Sequence, residues 1–177
     1  MDNENQTPES GSRRRGGKFF SALCSILGTL ILLLIIAVCI PVTVPKLMGY
    51  VIYNVVSGSM EPEIPVGSVI YVKAVSPETV EEGDIIAFTS GVSVISHRVV
   101  SNQTVEGKFT TKGDANAEND MNPVGYADLI GRVEFHLPVL GAFLAILTST
   151  IGKVYVLTLG ACGVMLNILA GRMRGRV

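Results

Sequence analysis

Val92-Ser93-Val94-Ile95-Ser96-His97-Arg98-Val99-Val100 reads as a β-strand, dense in β-branched residues and bounded by the turn signal Ser90-Gly91. Similar short runs lie on either side of it. Tyr50 to Val56, Val69 to Val75 and Asp84 to Thr89 precede it, and Thr104 to Thr111 and Leu129 to Phe135 come after it. Gly67-Ser68, Ser76-Pro77, Gly83-Asp84 and Glu106-Gly107 supply further turns. No convincing amphipathic helix separates these runs, so the middle of the chain is expected to be an all-β domain. At roughly 90 residues such a domain buries only a modest core.

Apolar segments flank this domain. Phe19 to Ile40 is 22 residues without a charge, and as a helix it would extend roughly 33 Å, enough for a bilayer core. The run is too long for a signal-peptide core and no small-x-small site closes it, so it is expected to be an uncleaved anchor. A second apolar region begins after Pro138, is interrupted by Lys153 and continues from Val154 to Ala170. It is read as a second spanning helix at about residues 154–171, the alternative being a hairpin of interfacial helices.

Charge sets the expected orientation. Arg13, Arg14, Arg15 and Lys18 precede the first apolar segment, and Arg172, Arg174 and Arg176 come after the second. Both termini are therefore expected on the cytoplasmic side. Between Leu47 and His136 there are 5 Lys and Arg against 12 Asp and Glu, a balance of −7. An acidic domain of this kind excludes nucleic acid as a natural partner. The expected organisation is a disordered cytoplasmic tail at 1–18, a transmembrane helix at 19–44, an extracytoplasmic β-rich domain at 45–136, a hydrophobic membrane region at 137–171 and a basic cytoplasmic tail at 172–177.

Cys24, Cys39 and Cys162 all lie in the apolar segments. They offer neither a disulfide framework nor a zinc spacing, and no metal or cofactor is expected.

Three stretches could carry chemistry. In Ser57-Gly58-Ser59-Met60-Glu61-Pro62, Gly58 permits a tight turn and Pro62 and Pro65 keep the loop out of helix and central strand. Such a turn can present a hydroxyl beside a backbone N–H, as oxyanion stabilisation requires. His97 is the better placed of two histidines to act as a base on it. The other, His136, sits beside Pro138 and is assigned no role. The acidic turn Lys112-Gly113-Asp114-Ala115-Asn116-Ala117-Glu118-Asn119-Asp120 offers carboxylates that could orient an imidazole. It also opens like a calcium loop, but Asn119 replaces the required Gly and Gly125 the required Glu. An ordinary solvated turn is the third reading.

Together these pieces resemble the type I signal peptidases, specifically their endoplasmic-reticulum-type Ser/His/Asp branch. The resemblance rests on Ser57-Gly58-Ser59-Met60-Glu61-Pro62, Gly83-Asp84-Ile85-Ile86, Ser96-His97-Arg98-Val99 and Thr111-Lys112-Gly113-Asp114-Ala115-Asn116 with Asp120, across about Val51 to Gly131. It implies a mainly β fold, a small signal-peptidase-like β-domain with an N-terminal and a C-terminal transmembrane helix. It implies Ser59 as nucleophile, His97 as base in place of the bacterial lysine, Asp120 as its acidic partner, and Asp114 as a second aspartate that the family also needs, the choice between the two acids staying open. Ser57 and the Ser59 N–H would form the oxyanion hole. Lys73 lacks the bacterial motif around it, so a Ser–Lys dyad is not expected.

The implied partners are secretory preproteins, the lipid bilayer and translocon or accessory subunits. The implied location is the plasma membrane, or the endoplasmic reticulum in a eukaryote. Substrate would bind as an extended strand with small side chains before the cut. A competing reading is a catalytically inactive anchored β-domain that binds or assembles exported proteins.

Overall fold

A computed structural model describes residues 10–174. The chain divides into two compact units, one built from residues up to Ile40 and from Thr150 onward, the other from Pro41 to Ser149. It is mainly β, with two long apolar helices outside the sheet.

The first unit is a pair of helices, α1 (Ser10–Leu47) and α3 (Thr150–Arg174), the latter preceded by a short helix α2 (Leu140–Thr148). Lys18–Leu47 and Thr150–Arg174, at 30 and 25 residues, are each long and apolar enough to cross a membrane. They run antiparallel, because Ser21 reaches Ala170 while Gly28 lies against Gly163. Small residues let the backbones meet at that point: a Cβ on Gly28 would lie 2.7 Å from the Gly163 carbonyl oxygen. Beside it, Thr29 Oγ1 donates to Asn167 Oδ1 at 3.3 Å, and Asn167 Nδ2 donates to the Gly163 carbonyl at 3.0 Å.

The helix bounds differ from the expected ones. α1 starts at Ser10, inside the stretch expected to be a disordered tail, of which residues 1–9 lie outside the described residues. Once an apolar helix is nucleated, each added residue costs little, and the arginines propagate it well. Lys153 does not interrupt α3, since lysine is a good helix former and its long stem keeps the amine exposed. The apolar run after Pro138 splits into α2 and the start of α3, and α2 packs on the β unit through Leu144, which is buried with Val69 and Tyr71.

The second unit is one antiparallel sheet. Its strands are β1 (Tyr50–Asn54), β2 (Val69–Lys73), β3 (Ile85–Ser90), β4 (Ser93–Gln103), β5 (Lys108–Lys112), β6 (Val124–Gly125) and β7 (Leu129–Leu137), in the order β1-β2-β7-β3-β4-β5-β6. Five of the six expected strands start within a residue of the expected position. The run from Thr104 forms strand only from Lys108, because Gln103 to Glu106 closes a turn.

β2 is buried on both faces. Ile70 and Val72 meet Val55, Met60, Ile64 and Ala87, whereas Val69 and Tyr71 meet Leu144. The loop between β1 and β2 thus contributes Val55, Met60 and Ile64 to the core, and the residue before Met60 is fixed with it. A third cluster, including Ile86, Phe88, Val99 and Phe109, fills the space between β3, β4 and β5.

Candidate functional site

Strand alternation sorts the chemistry-bearing residues onto two faces. Val99 pairs with Thr111 and Arg98 with Lys112 in the β4–β5 ladder. His97, Val99 and Thr111 therefore share one face, and Arg98 and Lys112 the other.

On the first face, His97 is buried, its ring steeply inclined to that of Phe88 at 6.3 Å between centroids. Its Nδ1 lies 2.6 Å from Asp120 Oδ2. The same oxygen accepts a hydrogen bond from Thr111 Oγ1, also at 2.6 Å. The Asp120 N–H donates to the Thr111 carbonyl at 2.8 Å, so side chain and backbone are both tied to β5. An ionised carboxylate only accepts, so the geometry suits an imidazole that carries its proton on Nδ1 and leaves Nε2 free to take another.

On the opposite face, Arg98 grips Asp114, Nε to Oδ1 at 2.8 Å and NH2 to Oδ2 at 2.6 Å. It also donates to the Gly83 carbonyl at 2.8 Å. Hydrogen bonding to Asp114 raises the Arg98 pKa above its ordinary value. The acidic turn does not converge on a point that could hold a cation: Asp114 goes to Arg98, Asp120 to His97, and Glu118 is exposed.

Ser59 reaches the turn after β5 through its backbone. The Ala115 N–H donates to the Ser59 carbonyl at 2.9 Å, and a Cβ on Gly113 would lie 2.6 Å from that oxygen. From the other side, buried Met60 holds the loop in the core. Among the described residues the Ser59 hydroxyl has no hydrogen-bond partner, so the structure brings His97 to Asp120 without joining Ser59 to His97. In free enzymes such contacts are often long and tighten only around substrate. Lys73 lies with its Nζ 5.5 Å from the Tyr50 ring centroid, on the strand at the far end of this loop.

Ser57 is exposed and lines a cleft of about 310 Å³ with Tyr53, Val55, Ile70, Val94 and Ser96 among its walls. Two strand edges are open here. Among the described residues, β1 pairs only with β2, and β4 pairs with β5 only from Arg98 onward, leaving Ser93 to His97 unpaired on that side.

Sequence reasoning missed Thr111, Gly113 and the cleft wall. The available signal for Thr111 was its phase: it lies two residues beyond the large apolar Phe109, a polar residue at an inward position. Asn102, which opens a glycosylation sequon, is committed elsewhere. Its amide donates to the carbonyls of Pro77 and Val80 at 3.0 and 2.8 Å, and its oxygen accepts from the Tyr126 hydroxyl.

No protein-family model matches the chain. The chain is similar to Signal peptidase I W of Bacillus subtilis (strain 168), with 41% identity over 85 residues, covering 45% of this chain and 44% of that protein. It thus spans less than half the length of the curated relative it matches. The similarity is thus to part of a signal peptidase, and two helices long and apolar enough to cross a membrane fit a membrane protein.

Proposed function

We propose that this chain is a membrane-bound serine endopeptidase of the endoplasmic-reticulum-type signal peptidase branch. It cleaves N-terminal signal peptides from translocated preproteins after small residues. The observation that carries the reading is the 2.6 Å contact of His97 Nδ1 with Asp120 Oδ2, on a turn that also holds the Ser59 carbonyl.

In this reading His97 Nε2 takes the Ser59 proton as Oγ attacks the scissile carbonyl, and Asp120 stabilises the imidazolium. The Ser59 N–H and the Ser57 hydroxyl stabilise the oxyanion. His97 then protonates the leaving amine, which is the N-terminus of the mature protein, and water hydrolyses the acyl-enzyme in the reverse sequence. Asp114 keeps Arg98, the neighbour of His97, in place. The open edges of β1 and β4 suit an extended peptide, whose backbone bonds supply affinity. A cleft of about 310 Å³ lies beside them, and the preference for small side chains before the cut follows from the resemblance. The basic residues at the outer ends of the two spans favour both termini in the cytoplasm and the β unit on the exported side, at the plasma membrane or the endoplasmic reticulum. Preproteins, the bilayer and translocon or accessory subunits are the partners.

The test is to incubate detergent-solubilised wild-type and Ser59→Ala protein with a preprotein and sequence the new N-termini. Cleavage after a small residue by wild type alone is the expected result. Undiminished cleavage by the variant would remove Ser59 as nucleophile. Binding of exported protein without hydrolysis by wild type would favour an inactive, binding β-domain.

A further inference from the structure

We propose that Thr111 is a positioning residue for the His97–Asp120 pair, its hydroxyl fixing the one carboxylate oxygen that the imidazole uses. What the clamp is for rests on the peptidase reading above, but its geometry does not.

Thr111 is fully buried on β5. Its Oγ1 donates to Asp120 Oδ2 at 2.6 Å, the same atom that lies 2.6 Å from His97 Nδ1. Asp120 closes a turn whose residues 115–119 are all exposed. Nothing apolar in that turn packs to hold a carboxylate at its end, and two side-chain torsions could swing the acid out of line. Thr111 resists this in two ways. Its carbonyl accepts the Asp120 N–H at 2.8 Å, which fixes the backbone, and its hydroxyl fixes the oxygen. A β-branched side chain is stiff about χ1, so the hydroxyl is itself well placed. Because the hydroxyl donates, Oδ2 is held as an acceptor, and the imidazole is obliged to offer Nδ1–H.

A plainer reading is that a buried hydroxyl takes the nearest acceptor to avoid going unpaired. The two readings assign different effects to removing the hydroxyl while the backbone bond stays. Thr111→Val keeps the shape, and Thr111→Ser keeps the hydroxyl. With solubilised full-length protein and a preprotein, Thr111→Val is expected to lower kcat by about 10 to 100-fold, the scale of a small misplacement of a catalytic group, with KM nearly unchanged. Thr111→Ser is expected to recover most of the lost rate. The chain has only 2 histidines, so in protein labelled with ¹⁵N-histidine the His97 Nδ1–H proton can be followed directly. It is expected to be protected from solvent exchange in wild type and Thr111→Ser and to exchange rapidly in Thr111→Val.

Unchanged kcat and unchanged protection in Thr111→Val would overturn the proposal. If that variant does not fold, Thr111→Ala is compared with Thr111→Ser, which differ in the hydroxyl alone, and equal rates and equal protection would again overturn it. Should wild type cut no preprotein, the peptidase reading fails on its own, and the exchange measurement still decides whether Thr111 holds the pair.

Discussion

Arg98 takes both carboxylate oxygens of Asp114, at 2.8 and 2.6 Å, and so removes one of the two acids that could have served the adjacent His97. The division arises because neighbouring positions on β4 point to opposite faces. The two aspartates should therefore fail differently. Asp120→Asn leaves the fold intact but offers the imidazole the wrong partner, and kcat for preprotein cleavage should fall by about 10⁴-fold, as for a triad acid. Asp114→Asn should lose about 1.5–3 kcal/mol of stability, the worth of hydrogen bonds to a charged group, with a smaller loss of rate. Denaturant titration and initial rates on both variants check this. The reverse assignment would hold if Asp114→Asn were the catalytically dead one.

Gly113 is a spacer. A Cβ there would sit 2.6 Å from the Ser59 carbonyl oxygen and 2.8 Å from Asn116 Nδ2. Gly113→Ala must push the Ser59 backbone away from the turn that holds it. A displacement of this kind costs about 10²-fold in rate, so kcat should fall, and the thermal transition should fall with it because a backbone atom has to move. Wild-type kinetics in Gly113→Ala would mean that the Ser59 carbonyl contact does not position Ser59 for the proposed reaction.

The strands were legible because period and turn residues are local properties, and β4 was legible almost to its ends. Which acid meets His97 was not legible in the residues themselves; the resemblance pointed to Asp120, the one that lies 2.6 Å from it. Asp114 and Asp120 lie in one short acidic turn, and choosing between them needs the β4–β5 register, which places Arg98 opposite Lys112. The same register puts Thr111 beside Val99, so its role was hidden for the same reason. The end of the β unit was hidden differently. From Val139 to Leu147 the residues are apolar whether they face lipid or a protein core, and it is the burial of Leu144 against Val69 and Tyr71, with the Gly141 N–H on the Gly67 carbonyl, that assigns α2 to the sheet.

Gly28 and Gly163 set the approach of α1 and α3. A side chain at position 28 would begin 2.6 Å from Asn167 Nδ2 and 2.7 Å from the Gly163 carbonyl oxygen. Gly28→Leu should separate the helices at this level and release the Asn167 bonds to Thr29 and Gly163. Cysteine pairs placed across the helices near Ser21 and Ala170 should then cross-link more slowly than in the parent. Equal cross-linking would show that the small-residue crossing does not set the spacing.

Tyr71 supplies a donor that Pro45 removes from α1. The carbonyl of Pro41 would ordinarily accept the N–H of residue 45, but that residue is Pro45, which has none. The Tyr71 hydroxyl donates to the Pro41 carbonyl instead, at 2.9 Å, from a side chain that is fully buried and stacked on Phe135. Tyr71→Phe keeps the ring and loses the donor, and it should cost about 1 kcal/mol, the net worth of such a bond. The loss should also depend on pH. Burial holds the Tyr71 phenol above its ordinary value of 10.0, because the phenolate is poorly solvated there and cannot donate. The unfolded chain therefore gives up this proton first, and folding is favoured by it below about pH 10. As pH rises from there through the folded value, that contribution is lost. The stability difference between wild type and Tyr71→Phe, measured by denaturant titration at a series of alkaline pH values, should accordingly shrink above about pH 10, since the other tyrosines titrate in both proteins and cancel. A difference that stays constant across that range would mean that the phenol does not hold the Pro41 carbonyl in solution.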